Sequence, residues 1–581
     1  MTNHSPYQGF SKKLFLLIFA LLLLVSIPQA NAAGEEEEQT PPADISQDYV
    51  TYIRFHWKGA LTSHSINLKV FPTQALLNDR TAFVAIYTKT SGTINAEGVQ
   101  ISKLTFDGSS HPKATTELKG LTPNTVYYYT FLFSTAGTLE ASDFTTLAAN
   151  PISKEFTFKT LGTALTPTSF TFGISCCAQT GSVNSVFNTL AKANNMDFFI
   201  YNGDMHYEDI TTDDKSKFYD AYYRIFDNIN QRDFFQNVPL VYVWDDDDFG
   251  GHDSNGNSPS KPAVTQVFRE FVPTYPLKGA FPVDDASAEI PNAPQANNDR
   301  NDYQDYNEEG TDGIFRSFII GRCLFIVMDL RSYKDLTSGD ILGENQAKWL
   351  QNQLLFAKKN ENIVQVFLVS TLPWINKAVT TDWSPYASTQ GNIKTWVENY
   401  ITGAGINKKI MLLGGHSSMV AFDDGSNNVH GGFPVVQAGS LDQNPSCQGG
   451  AYSHGMIQGR QQYAVISVTD SEGGNPCVQV KFGRNEELTA TYDTCAPQNY
   501  SAKPASCKPS IIDQITDVIG GGSWTWFIIA MVFVALIVGV ILYKAYQSYK
   551  SRKDTEAQHA EGEDYLEMTE SSRKKKQNEL L

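Results

Sequence analysis

Positive charge is scarce in this sequence. Lys and Arg number 45 against 62 Asp and Glu over 581 residues, a formal net charge of -17. A protein whose main partner is nucleic acid needs a basic face for the phosphates, so that class is set aside. Phosphate esters are not set aside with it, because bound cations reverse the local sign. Cysteine is also sparse: Cys176, Cys177, Cys323, Cys447, Cys477, Cys495 and Cys507 are the full set. Seven is odd, so at least one has no intrachain partner. Long apolar runs are absent from the interior and confined to the two ends, and only the one near the C-terminus is of bilayer length. Apolar side chains are not lacking, at 41% hydrophobic and 12% aromatic, so packed cores are expected rather than disorder. The length exceeds the roughly 100–200 residues of one compact domain.

The ends read as targeting segments. Lys12 and Lys13 precede an apolar stretch from Leu14 to Ile27, and Ala30-Asn31-Ala32 is a small-residue cleavage pattern. Residues 1–32 are therefore expected to be a signal peptide. Trp524 to Tyr543 is long and apolar enough to be expected as a single transmembrane helix over 523–543, followed by Lys544, Lys550, Arg552 and Lys553. The expected topology is type I single-pass: an extracellular or luminal ectodomain, a linker over 501–522, one span, and a cytoplasmic tail over 544–581. In that oxidising setting Cys477, Cys495 and Cys507 are the better disulfide candidates, with connectivity open. Asn499-Tyr500-Ser501 is a glycosylation sequon.

Residues 46–165 alternate with period two, as in Val50 to Trp57 and Ala82 to Tyr87. Leu121-Thr122-Pro123-Asn124-Thr125-Val126-Tyr127 resembles the tyrosine corner of fibronectin type III domains, in which the Tyr hydroxyl bonds back to the turn. The expectation is an all-β fibronectin/Ig-like sandwich without catalytic residues. From Phe170 the pattern becomes alternating strands and helices, giving an α/β layered domain over 168–500. Six predicted strands end in polar residues: Cys176, Asp204, the run Asp245-Asp246-Asp247-Asp248, Asp329 with Arg331, Ser370-Thr371, and Gly415-His416. Such convergence on the carboxyl ends of strands points to one site.

The chemistry those residues suit is phosphoryl transfer assisted by metal ions, which neutralise charge and activate water. Asp204 is a candidate bridge between metals. Tyr207 reaches the same side if its turn is helical, and Cys176 would supply a thiolate suited to a transition metal. Asp246, Asp247 and His252 add oxygen and nitrogen donors. Arg224 and Arg331 are candidates to clamp phosphate, or equally to form structural ion pairs. His252 is a further candidate at the reacting phosphate. Cys177 reads as a core or disulfide thiol and His206 as a loop hydrogen-bonder.

These stretches resemble the PhoD-like alkaline phosphatase/phosphodiesterase family of metallophosphoesterases over about 170–470. The resemblance is carried by Ser175-Cys176, Gly203 to Asp209, Val241 to Asp246, Ser258-Pro259-Ser260, Val272 to Leu277, Asp329 to Ser332, Leu342 to Leu350 and Ala421 to Gly425. It implies a four-layer αββα fold. It also implies iron on Cys176, Asp204 and Tyr207, with calcium alongside. The sequence departs from the family at Asp247, where His is usual, and at His252, the match for a usual Asn. It departs again at His416, where Asp is usual, and at Ser418, where His is usual. Two readings follow. In one, the shell is rewired, with Asp247, His252 and His416 still ligating a different metal pair, zinc included. In the other, the site is impaired or inactive and the ectodomain is a surface binding or receptor module. The expected activity is hydrolysis of phosphate mono- or diesters, with oligomeric state left open.

Overall fold

The computed structural model describes residues 44–147, 152–193, 195–277, 313–375, 381–402, 408–444, 449–471, 474–484, 487–495, 535–548 and 550. The expected signal peptide, the sequon at Asn499, the linker, Cys447, Cys507 and most of the expected cytoplasmic tail lie outside them.

The architecture rests on two large sheets. The first has nine strands in the order Glu487–Asp493, Cys477–Arg484, Gln462–Thr469, Phe170–Ser175, Phe198–Asn202, Leu240–Val243, Ile53–Gly59, Ser65–Pro72 and Ala114–Lys119. The second has seven: Arg316–Ile320, Cys323–Val327, Gln365–Ser370, Lys409–Gly414, Val435–Gln437, Met419–Asp423 and Met456–Gln458. In each sheet four neighbouring strands run parallel, Phe170–Ser175, Phe198–Asn202, Leu240–Val243 and Ile53–Gly59 in the first and Cys323–Val327, Gln365–Ser370, Lys409–Gly414 and Val435–Gln437 in the second. Their carboxyl ends therefore point the same way within each sheet.

The sheets meet through phenylalanines. Phe172 on the first lies 5.3 Å from Phe325 and 5.5 Å from Phe367 on the second, ring centre to ring centre. Phe198 packs on Phe325 at 5.8 Å. The alternation of a strand decides which side chains enter this layer. Phe325, Val327, Phe367, Val369, Met411 and Leu413 face the first sheet. Leu324, Ile326, Leu368, Ile410 and Leu412 face the other way, onto Trp349, Leu350 and Leu354 of helix Gly343–Lys359 and Ile393 and Val397 of helix Ala387–Ile401. Both faces are buried, which is why these strands read as unbroken apolar runs rather than alternating ones. Helices Ser185–Ala191, Lys215–Asp227, Ile229–Asn237 and Lys261–Phe271 cover the outside of the first sheet, completing four layers.

The stretch expected to form a closed sandwich over 46–165 divides between sheets. Five strands, Ile45–Ser46, Val126–Ser134, Thr81–Tyr87, Gln100–Lys103 and Phe156–Lys159, make a separate sheet. Three more extend the nine-stranded sheet, through a parallel pairing of Gly59 with Leu240, and Lys89–Thr90 pairs with Thr93–Ile94 in a small sheet of their own. Buried His56 ties the two together, with its ring nitrogens 2.8 Å from the Tyr49 hydroxyl and 2.9 Å from that of Tyr129. The Tyr127 hydroxyl accepts from the Thr122 N–H at 2.9 Å, the bond expected of a tyrosine corner. The face of Ile53–Gly59 turned away from that sheet packs on helices: Phe55 stacks on Phe226 at 4.4 Å, and the Trp57 indole N–H donates to the Phe271 carbonyl. Aromatic bulk on both faces of this strand makes it part of a shared core, which an isolated sandwich would not provide.

The expected transmembrane helix over 523–543 requires correction. No helix among the described residues is long and apolar enough to cross a membrane. The described helix at 535–548 spans roughly 21 Å at 1.5 Å per residue, short of the ~30 Å hydrocarbon layer. Residues 523–534 of the expected span lie outside the described residues. A disulfide joins Cys477 to Cys495 across the edge hairpin of the nine-stranded sheet, while Cys176, Cys177 and Cys323 are buried and reduced.

Candidate metal centre

The centre forms where the parallel strands of both sheets end. Strand Phe198–Asn202 stops at Gly203, whose φ is +93°, and a Cβ there would lie 2.5 Å from Cβ of Asp245. Only glycine allows that approach of the two strand ends. The next residue, Asp204, is itself left-handed at φ 55°, as are Cys177 at 63°, His416 at 65° and Ser418 at 41°. Each such residue costs about 1–3 kcal/mol, and their gathering at one spot marks a place where the surrounding structure enforces geometry.

Asp204, Asp245, Asp246 and His416 each bring a ligand atom to within 4.8 Å of the others, and all four are buried. Asp245 is engaged on both oxygens. Its Oδ1 accepts from Arg331 Nε at 2.7 Å, and its Oδ2 from His416 Nδ1 at 2.7 Å. Arg331, with 0% of its side chain exposed, also lies 3.4 Å from Asp246 Oδ1. Asp204 Oδ2 accepts from the Tyr207 hydroxyl at 2.9 Å and from the Cys177 thiol at 3.5 Å. Asp204 Oδ1 and Asp246 Oδ1, by contrast, are buried without a hydrogen-bond partner among the described residues. A buried, unpartnered carboxylate oxygen is costly unless something positive faces it.

The electrostatics say the same. Burial, and then the charges of Asp246 and Asp245, hold the Asp204 carboxyl well above the usual range. Burial, the Asp246 charge and a hydrogen bond with Asp209 push Asp247 up to about 9. Asp246 goes the other way: burial would raise it, but Arg331 and His416 outweigh that and hold it well below 3.8. For His416 burial opposes the charge, and Asp246 and Asp245 override it, raising the imidazole well above its ordinary value. Asp204 Oδ1 without a partner, beside Asp246 Oδ1 with only the 3.4 Å and 3.5 Å approaches of Arg331 and His416, in a cluster rich in negative charge, fits a bound metal cation. Asp204 and Asp246 would hold it, with Tyr207 and the cysteines beside Asp204.

The four-aspartate run turns out to divide its labour. Asp245 caps the short helix Asp246–Phe249, and Asp248 is structural, accepting from the N–H groups of Asp245 and Met205 and from the Tyr242 hydroxyl. Asp247 is buried beside Asp209, and with Asp246 and His252 it forms a second group of ligand atoms. His252 is 77% exposed and 3.8 Å from Asp246. Cys176 is buried, with Gly439 so close that a Cβ there would lie 2.6 Å from its Sγ. It stands next to Cys177 rather than within the tight four-residue cluster. Arg224 is 63% exposed and paired with Glu208. His206 is fully buried beside Tyr222, rather than bonding within a loop, and neither ring nitrogen has a hydrogen-bond partner among the described residues. Sequence reasoning missed Asp245 as the residue joining Arg331 to His416. The signal was present, since Asp245 stands two residues past the strand end at Val243. Asp329 is likewise structural, accepting from Trp244, Ile314, Arg331 and Ser332.

Fold and site together define a two-sheet α/β protein with a buried carboxylate–imidazole centre at its strand ends. Residues 170–414 match the family described as PhoD-like phosphatase. A solved structure entitled "Structure of PhoD" superposes with a TM-score of 0.50 at 15% identity, covering 76% of this chain and 89% of that one. At that identity the likeness concerns the fold. The sensor domain of the anti-sigma factor RsgI4 in Pseudobacteroides cellulosolvens covers 21% of this chain at 15% identity and a TM-score of 0.13, and carries no argument. No curated protein matches the chain in sequence.

Proposed function

We propose that this protein is a metal-dependent phosphoric ester hydrolase acting on phosphate mono- or diesters outside the cytosol. The observation that carries the reading is Asp204 Oδ1, buried without a partner in an acidic cluster at the strand ends that also holds Asp246. The Cys477–Cys495 disulfide supports an oxidising compartment.

A cation bound there supplies charge neutralisation and a more acidic water for attack on phosphorus. The chain's own residues do the rest. Asp204 and Asp246 bind and orient; the Tyr207 hydroxyl fixes the Asp204 carboxylate. Arg331 and His416 hold Asp245 and so set the floor of the site. Arg331 is fully committed to that role, so the earlier expectation that it clamps phosphate passes to Arg224. That guanidinium is largely exposed and paired with Glu208, the residue after Tyr207 in the chain, and can exchange Glu208 for a phosphoryl group. Exposed His252 is placed to carry a proton to the leaving oxygen.

A second reading is a catalytically impaired binding module. It is favoured by one observation: Arg331 and His416 already neutralise Asp245 from within the protein. Purified protein assayed with p-nitrophenyl phosphate and bis(p-nitrophenyl) phosphate, loaded in turn with iron, calcium and zinc, separates the two. Hydrolysis that falls at least 100-fold in Asp204→Asn supports the enzyme. Metal uptake without turnover of either ester supports the module.

A further inference from the structure

We infer that the centre holds a single cation, on Asp204 and Asp246, and that the place of a second is taken by the protein's own Arg331–Asp245–His416 array. The inference rests on the metal-dependent reading above and adds a stoichiometry to it.

The argument is one of vacant oxygens. Asp245 has none to give: Arg331 approaches Oδ1 through Nε at 2.7 Å and through a terminal nitrogen at 2.6 Å, and His416 Nδ1 covers Oδ2 at 2.7 Å. Each Asp245 oxygen thus already faces a cationic group of the protein at short range, which offsets its charge and disfavours an added cation there. Arg331 is also approached by the Ser254 carbonyl at 3.3 Å and by Asp253 at 3.9 Å. Asp204 Oδ1 has no partner, and Asp246 Oδ1 has no hydrogen bond but only the longer approaches of Arg331 at 3.4 Å and His416 Nδ1 at 3.5 Å; both belong to one cluster.

The other group of candidate ligands among the described residues is Asp246, Asp247 and His252. It does not supply a second built site. The Asp246 oxygen on that side already accepts from the Asp253 N–H at 2.7 Å, and His252 extends into solvent. The His416 position matters because a carboxylate there would remove one fixed positive group and free Asp245 Oδ2.

The test counts ions rather than turnover. The chelator-treated protein is reloaded with manganese(II), calcium or zinc, and bound metal per chain is measured by plasma mass spectrometry after gel filtration, with titration calorimetry for affinity. One ion per chain is expected; two, or none, overturns the inference. His416→Asp should raise the count to two, with a second calorimetric step and, for manganese, a spin-coupled pair signal. A folded His416→Asp protein that still takes one ion overturns it. Asp245→Asn guards against a misfolding His416 variant: it should keep one ion with affinity within about threefold of the parent, and loss of the ion overturns the inference. One ion without ester hydrolysis leaves this inference standing and removes the hydrolase reading. Two ions with hydrolysis does the reverse.

Discussion

Asp247 shows what burial does to a carboxyl group when no cation is supplied. Its folded value is pushed up to about 9 from 3.8, so the folded metal-free protein holds a proton that the unfolded chain has released. A raised value means stability that is fully present below about 4 and lost as pH climbs through 9. The metal-free protein should therefore show a falling urea midpoint between pH 5 and pH 9. Metal loading at pH 7 should release protons, read as a dependence of calorimetric heat on buffer ionisation enthalpy. Arg331 gives the complementary test. It is buried between Asp245 and Asp246, and removing one partner of a buried pair costs about 3–5 kcal/mol. Arg331→Met should lose stability of that order in urea unfolding of the metal-free protein.

Among the elements, the phenylalanine layer between the two sheets bears most of the load of alignment. Phe172 touches Phe198, Phe325 and Phe367 and is fully buried. Phe172→Ala should cost about 3–5 kcal/mol by denaturant unfolding, as for other large buried aromatics. Because that layer sets where the strand ends fall, the same variant should bind metal less tightly. The strands themselves were readable, since Phe170–Ser175, Phe198–Asn202 and Lys409–Gly414 are apolar runs stopped by ligand-type residues. What could not be read was which sheet each joins: period two tells the faces of a strand apart but not its neighbours. The Asp run was readable as a site but not residue by residue. Asp248 became a cap and Asp247 took a proton because a helical turn sends consecutive side chains in different directions. The pairing of Asp245 with Arg331 spans 86 residues of sequence, so no local pattern announces it.

At the scale of the whole molecule, the Cys477–Cys495 bridge closes an 18-residue separation at the outer edge of the nine-stranded sheet. A loop of that size is worth about 3 kcal/mol on the chain-entropy view. Reduction should leave the centre's metal content unchanged, while hydrogen exchange quickens selectively in Cys477–Arg484 and Glu487–Asp493. The tyrosine corner and the β-character of 46–165 were plain from alternation and from Leu121 to Tyr127. The merging of that stretch with the neighbouring sheet was not, because Gly59 and Leu240 lie far apart in the chain and meet at one register position.

That junction bears on how the protein can be cut. A chain begun at residue 168 would keep every residue of the metal cluster, yet it would strip the partner from strand Leu240–Val243 and bare Tyr222, Phe226 and Phe271, which now pack on Trp57. An uncovered strand edge beside a greasy helix face invites self-association. The segment ahead of residue 168 is thus less a passenger than a cover, and a chain cut there is expected to self-associate in size-exclusion chromatography.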